Sequence, residues 1–219
     1  MDTVADLKQK ETRVHPGDHI CSIYQTTEQQ ISVLVPFIKD GLKSNQKCVY
    51  ISDPTSASTL LSAFEKEGFS IQHYLDTKQF VMLSATEVYS AKVFDPTAMA
   101  TSVKKMETDA LSEGYSGIRG IGEMTQSTMQ SEPMKLVTYE SSLNTLLSDS
   151  LSIILCQYDE RTTNQNTLIN AIRTHPLIYF YGKLYANKYF YSPPEYMKLS
   201  TLHFENNSYT TIVDTIMTE

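Results

Sequence analysis

The stretch His19–Asp53 reads HICSIYQTTEQQISVLVPFIKDGLKSNQKCVYISD, and its pattern decides the fold. It opens on a short apolar, β-branched run, HICSIY, introduced by Gly17-Asp18, which has the character of a buried strand. Apolar residues then recur at Ile31, Leu34, Val35, Ile38 and Leu42, a helical spacing, with Thr26 or Thr27 available as a cap. Pro36 lies inside that pattern and predicts either a kink or a late helix start. CVYISD, Cys48 to Asp53, is a second strand ended by Pro54. A strand, a helix and a strand within about thirty-five residues imply parallel pairing through a right-handed crossover.

The alternation continues outward. Helices are expected over Thr55–Glu67, Pro96–Glu113, Pro133–Leu147 and Asn164–Arg173, and strands at QFVMLS, GIRGIGEM, LSIILCQYD and LIYFYG. Phe69 to Tyr74 reads as a short extended piece. Strands alternating with helices this regularly predict an α/β protein, a three-layer α/β/α arrangement on a mostly parallel sheet. Residues 1–13 read as an N-terminal arm, and the segment 192–219, opening on Ser-Pro-Pro, as a tail or a linker to an output domain. The end, TTIVDTIMTE, looks helical and suits either such a connection or packing on a partner subunit.

Composition excludes several classes. The 18 Lys and Arg against 25 Asp and Glu give a net charge of −7, which argues against direct nucleic-acid binding. Three widely spaced cysteines, Cys21, Cys48 and Cys156, form neither a disulfide framework nor a zinc ribbon. The N-terminus lacks an apolar signal region and no apolar run reaches membrane-spanning length, so a cytoplasmic protein is expected. Glycine is scarce, with 8 in 219 residues, and four of them, Gly114, Gly117, Gly120 and Gly122, fall in one segment.

The first strand-to-helix turn is where a nucleotide-binding relative would carry its phosphate loop. Here it reads YQTTEQQ, without glycine, without a lysine before Ser or Thr, and with Glu28 to repel phosphate. His19 and Cys21 lie two apart on a strand and so face one side; they form half a metal site that Cys156 or His175 would complete, or else a core cysteine and a strand-end histidine. GYSGIRGIGEM invites close approach of a ligand or of a packed helix, and Arg119 and Glu123 add a pair of charges near its carboxyl end. Tyr139, Glu140 and Asn144 share a helix face, and Cys156 and Tyr158 sit toward the end of an apolar strand. No Ser-His-Asp pattern, nucleophile elbow or HExxH motif is present, and nothing demands catalysis.

GDHICSIY, CVYISD, GYSGIRGIGEMT, TYESSLN, ILCQYD and THP, in that order, resemble the motifs of the MEDS family, the methanogen/methylotroph DcmR sensory domain, over roughly residues 14–182. The resemblance implies a RecA-like fold that has lost its phosphate loop, with a sensory domain over residues 14–191. It implies a non-catalytic module of prokaryotic signal transduction, of two-component systems among others. Such a module senses small hydrocarbon derivatives, methylated or halogenated one-carbon compounds, and signals to a histidine kinase or a regulator output domain. Carried onto this chain, the ligand-binding positions are His19, Cys21, Tyr24, Arg119, Glu123, Tyr139, Glu140, Cys156, Tyr158 and His175. A RecA-type strand order would bring Cys21 and Cys156 together, which makes His19, Cys21 and Cys156 the candidate metal ligands. One departure is Gln126, where the family usually has an aromatic residue.

The expectation is therefore a pocket at the carboxyl ends of the strands, lined by His19, Cys21, Arg119, Glu123 and Cys156. A metal at His19 and Cys21 is the one candidate cofactor, and a small molecule, an output domain and a second copy of the chain are the candidate partners. Two alternatives are a standalone regulator acting through protein–protein contacts and a residual nucleotide-binding ATPase relative.

Overall fold

The computed structural model of the protein describes residues 14–89, 94–124, 132–192 and 208–218. Gln126 lies outside them. Among these residues seven strands form one sheet: β1 (His19–Tyr24), β2 (Lys47–Ser52), β3 (Phe80–Ser84), β4 (Ile118–Glu123), β5 (Ile153–Asp159), β6 (Leu177–Phe180) and β7 (Lys183–Ala186), in the spatial order β3-β2-β4-β5-β1-β6-β7. Every pairing is parallel except β6 with β7. The central strands β1, β4 and β5 are buried along their whole length, as a sheet covered on both faces requires.

Among the described residues there are eight helices: α1 (Thr27–Lys43), α2 (Pro54–Lys66), α3 (Gln72–Asp76), α4 (Ala85–Tyr89), α5 (Pro96–Ser112), α6 (Pro133–Leu147), α7 (Gln165–Thr174) and α8 (Tyr209–Met217). Residues of α1, α2 and α3 build one core, with Ile20, Tyr50, Ile121 and Leu155 from the sheet. Residues of α4 to α8 build the other, with Cys21, Ile23, Ile154, Cys156 and Tyr158. The sheet is the middle of three layers, the architecture expected.

The helix α1 runs unbroken through Pro36, so the late start is corrected. Its start is fixed at Thr26 by a capping box: the Thr26 hydroxyl accepts from Gln29 N–H, and the Gln29 side chain accepts from Thr26 N–H and Gln25 N–H. Side chains thus occupy the donors that a phosphate would need. The extended piece at Phe69–Tyr74 is corrected too, because Ile71, Tyr74 and Leu75 sit at helical spacing and turn as α3 onto the core. LIYFYG is only half of a hairpin. Tyr181 and Gly182 both have positive φ, 50° and 93°, which makes the two-residue turn into β7. The end of the chain contributes α8, which buries Tyr209, Ile212, Val213 and Ile216 in the same core as α7.

Gly117 is required twice over. Its φ is 132°, and a Cβ there would lie 2.7 Å from the Leu151 carbonyl oxygen.

Candidate functional site

Four side chains from four elements converge beneath the sheet on the α6–α7 face. His19 is the first residue of β1, Glu140 lies in the middle of α6, Cys156 is central in β5, and His175 caps the end of α7. Their donor atoms all lie within 4.8 Å of one another and all four residues are buried. Glu140 Oε2 is 3.2 Å from His19 Nε2 and 3.5 Å from His175 Nε2. Cys156 Sγ donates to the same oxygen at 3.4 Å and lies 3.5 Å from His19 Nε2. Tyr158 O–H donates to Glu140 Oε1 at 2.5 Å.

Outer partners fix both imidazoles. The Asn144 amide donates to the carbonyls of Glu140 and Thr174, so its oxygen accepts from His19 Nδ1 at 3.2 Å. His175 Nδ1 is 2.7 Å from the Ala171 carbonyl, which can only accept. Both rings therefore carry a proton on Nδ1 and turn Nε2 toward Glu140. Asn187 donates to the His175 carbonyl and holds the backbone there. Burial and the neighbouring His175 lower the pKa of His19 to about 4, despite the opposing pull of Glu140. Burial pushes Glu140 up, but the charge and hydrogen bonding of the two histidines win and leave it well below the usual carboxylate range. Burial and the Glu140 charge raise the Cys156 thiol.

The residues expected to form one pocket lie on two faces. Side chains alternate along a strand, so His19, Cys21, Cys156 and Tyr158 face α6, whereas Tyr24, Arg119 and Glu123 face α1. Arg119 and Glu123 are not a pair, being four residues apart on β4, or about 13 Å. The Arg119 guanidinium donates to Gln46 Oε1 and the Phe37 carbonyl and lies over the Phe37 ring. Glu123 accepts from Tyr50, Gln30 and the Asp53 N–H. Tyr24 is buried near Glu123 and Asp159, whose charges add to burial in raising its phenol. Cys21 is paired in register with Cys156, as the strand order implied, but stands outside the donor group, where Glu140 and His175 take its place. The group sits under the middle of the sheet, not at the carboxyl ends of the strands.

Beside it lies an apolar cavity of ≈ 30 Å³, lined by β2, β4 and β5 above and by Tyr89, Met99, Val103, Met106, Met124 and Tyr139 below. Its roof contains Gly120 and Gly122. A Cβ at Gly122 would come within 2.8 Å of the Tyr89 hydroxyl, and one at Gly120 within 2.7 Å of Ile154 Cδ1. Cys156 lines this cavity as well as belonging to the donor group. The sequence marked the glycines, Met124 at the end of GYSGIRGIGEM, and Tyr139, but missed Tyr89, Met99 and Met106, which carry no motif and gather only through the fold.

Residues 18–176 match the family model described as MEDS, methanogen/methylotroph, DcmR sensory domain. A curated relative, the transcriptional repressor DcmR of Methylorubrum extorquens (strain DSM 6343 / CIP 106787 / DM4), is 23% identical over 166 residues, covering 75% of this chain and 60% of the repressor. The chain thus spans less than two thirds of that relative's length. Among solved structures, the flagellar accessory protein FlaH from Methanocaldococcus jannaschii is similar in fold, with a TM-score of 0.50 and 12% identity over 78% of this chain and 76% of that one. The KaiC-like protein PH0186 from Pyrococcus horikoshii OT3 gives a TM-score of 0.47 and 7% identity over 74% and 70%.

Proposed function

The chain belongs to the MEDS family of sensory domains, and from that premise we propose that it binds a small, mainly apolar one-carbon compound in the cavity beneath Gly120 and Gly122. The regulatory sensory role follows from the family and from the repressor relative. The ligand class is our own reading, carried by one observation: the size and lining of the cavity. One water needs about 10–15 Å³ of such space, so ≈ 30 Å³ suits a molecule of only a few heavy atoms. The walls are aliphatic and thioether, with the Tyr89 and Tyr139 phenols and the Cys156 thiol as polar points. Burial keeps both phenols neutral.

Binding would proceed without catalysis, in the cytoplasm, and the signal would pass to a transcriptional or kinase output. The α8 helix, packed against α7 and β7 in the core that contains the cavity, is the natural conduit. No helix among the described residues is long and apolar enough to cross a membrane. A nucleotide is disfavoured by the capping box that fills the first turn.

Thermal shift of the full chain against methanol, methylated amines, methyl sulfides and Mg-ATP tests the reading. A ligand that binds only the folded state at a hundred times its Kd stabilises it by about 2.7 kcal/mol. One of the one-carbon compounds is expected to raise Tm, and Gly122→Ala, which pushes a methyl group toward Tyr89, is expected to abolish that rise. Stabilisation by Mg-ATP and by none of the others would overturn it.

A further inference from the structure

We infer that His19, Glu140, Cys156 and His175 form a tetrahedral site for one divalent transition-metal ion of the zinc class, a ligand set that includes Glu140 and His175 and leaves out Cys21. This goes beyond the sensory reading and does not depend on what occupies the cavity.

Distances carry the inference first. A tetrahedral ion about 2.0–2.1 Å from nitrogen and oxygen and about 2.3 Å from sulfur holds its ligand atoms about 3.3–3.6 Å apart. The four separations from Glu140 Oε2 and Cys156 Sγ are 3.2, 3.5, 3.4 and 3.5 Å. These are four of the six edges of such a tetrahedron, and the other two, from His175 Nε2 to His19 Nε2 and to Cys156 Sγ, are no longer than 4.8 Å.

The second observation is the state of the imidazoles. Each histidine spends its Nδ1 proton on an outer acceptor, the Asn144 oxygen or the Ala171 carbonyl, which is how metal-bound histidines are usually oriented. Both Nε2 atoms face the same carboxylate oxygen, at 3.2 and 3.5 Å. His175 Nε2 is fully buried and has no hydrogen-bond partner. A cation at the centre satisfies both nitrogens and the carboxylate at once. Two nitrogens, a sulfur and an oxygen favour zinc, iron or cobalt over magnesium or calcium.

Third, the surroundings suit a closed site. Tyr158 and Asn144 supply outer-shell hydrogen bonds to the ligands. A second cavity of ≈ 10 Å³, room for about one water, lies between α6 and α7 and reaches Glu140 and Tyr158. On binding, the Cys156 proton leaves to solvent and the thiolate takes its place at the metal. Cys156 also lines the apolar cavity, so the donor group and the cavity share one side chain.

The test is titration of the metal-free full chain with Co²⁺ and Zn²⁺ alone, followed by absorption spectra and elemental analysis. One ion per chain is expected, with tetrahedral cobalt bands and a thiolate-to-cobalt charge-transfer band. Cys156→Ser should remove the charge-transfer band, His175→Ala should weaken binding about tenfold or more, and Cys21→Ser should change neither. A folded chain that takes up no Co²⁺, a spectrum without the charge-transfer band, or a band that survives Cys156→Ser or vanishes in Cys21→Ser would overturn the site. If Cys156→Ser or His175→Ala fails to fold, the spectra of the parent chain and Cys21→Ser still decide. Running the one-carbon thermal shift in chelator as well as in Zn²⁺ separates failure of this site from failure of the cavity reading.

Discussion

Two buried glutamates show how one residue type can pull stability in opposite directions. Glu107, on α5, accepts from the Ser150 and Ser152 hydroxyls, the Leu151 N–H and Lys104. Burial pushes its pKa up, but those hydrogen bonds and the Lys104 charge bring it below its ordinary 4.5. It therefore adds stability above the unfolded-state pKa, and that stability is lost as pH falls through the lower folded value. Glu123 is raised, chiefly by burial, with the hydrogen bonds from Tyr50 and Asp53 offsetting only part. Between 4.5 and its higher folded value the native state keeps a proton that the unfolded chain releases, so its contribution shrinks as pH rises through that window. Urea unfolding across pH 3–8 is expected to show a loss on the acid side that Glu107→Gln removes and a loss on rising from 4.5 that Glu123→Gln removes. Glu107→Ala should also cost about 1–3 kcal/mol at neutral pH, for the buried donors it leaves without an acceptor. Neither role was legible in the sequence, where Glu107 is one charge in a helix and Glu123 was joined to Arg119. Strand spacing alone forbids that pair; the pairing of β2 with β4 supplies Tyr50, and the packing of α1 on the sheet supplies Gln30.

At the scale of elements, most of the pattern was written locally. Pro133–Leu147 is found as read, and Asp53, Asp95 and Asn164 cap helices where polar residues precede apolar periodicity. The misses have local causes. α3 is too short for a clear period, and the hairpin turn at Tyr181-Gly182 needs a tyrosine at positive φ, which no turn preference suggests. Pro36 is exposed inside a helix and removes one backbone donor. Pro36→Ala is expected to raise stability by about 1–3 kcal/mol, read from the urea midpoint. α8 is tied to the core through Ile212, which is 1% exposed. Ile212→Ala should cost about 2–4 kcal/mol, and a change under 0.5 kcal/mol would show α8 free of the core.

Across the whole molecule, the sheet sorts chemistry by parity. Residues that look adjacent in motifs, such as Tyr24 beside Ile23 or Arg119 beside Gly120, belong to opposite layers, so a motif list cannot say which residues share a site. The motifs did identify Glu140, Cys156 and His175, but their meeting point required β5 to lie beside β1 and α6 to cross beneath both. The first strand-to-helix turn is closed by its own side chains, while the glycines of β4 stand over the cavity.

Methyl NMR of the methionines reads directly whether a small one-carbon compound enters the cavity under β4. Met99, Met106 and Met124 line the cavity, while Met82 lies on the other face of the sheet. Titration with the one-carbon compound that raises Tm should shift the first three methyl resonances and leave Met82 in place. Saturable shifts at Met82 with none at Met99, Met106 and Met124 would contradict the account.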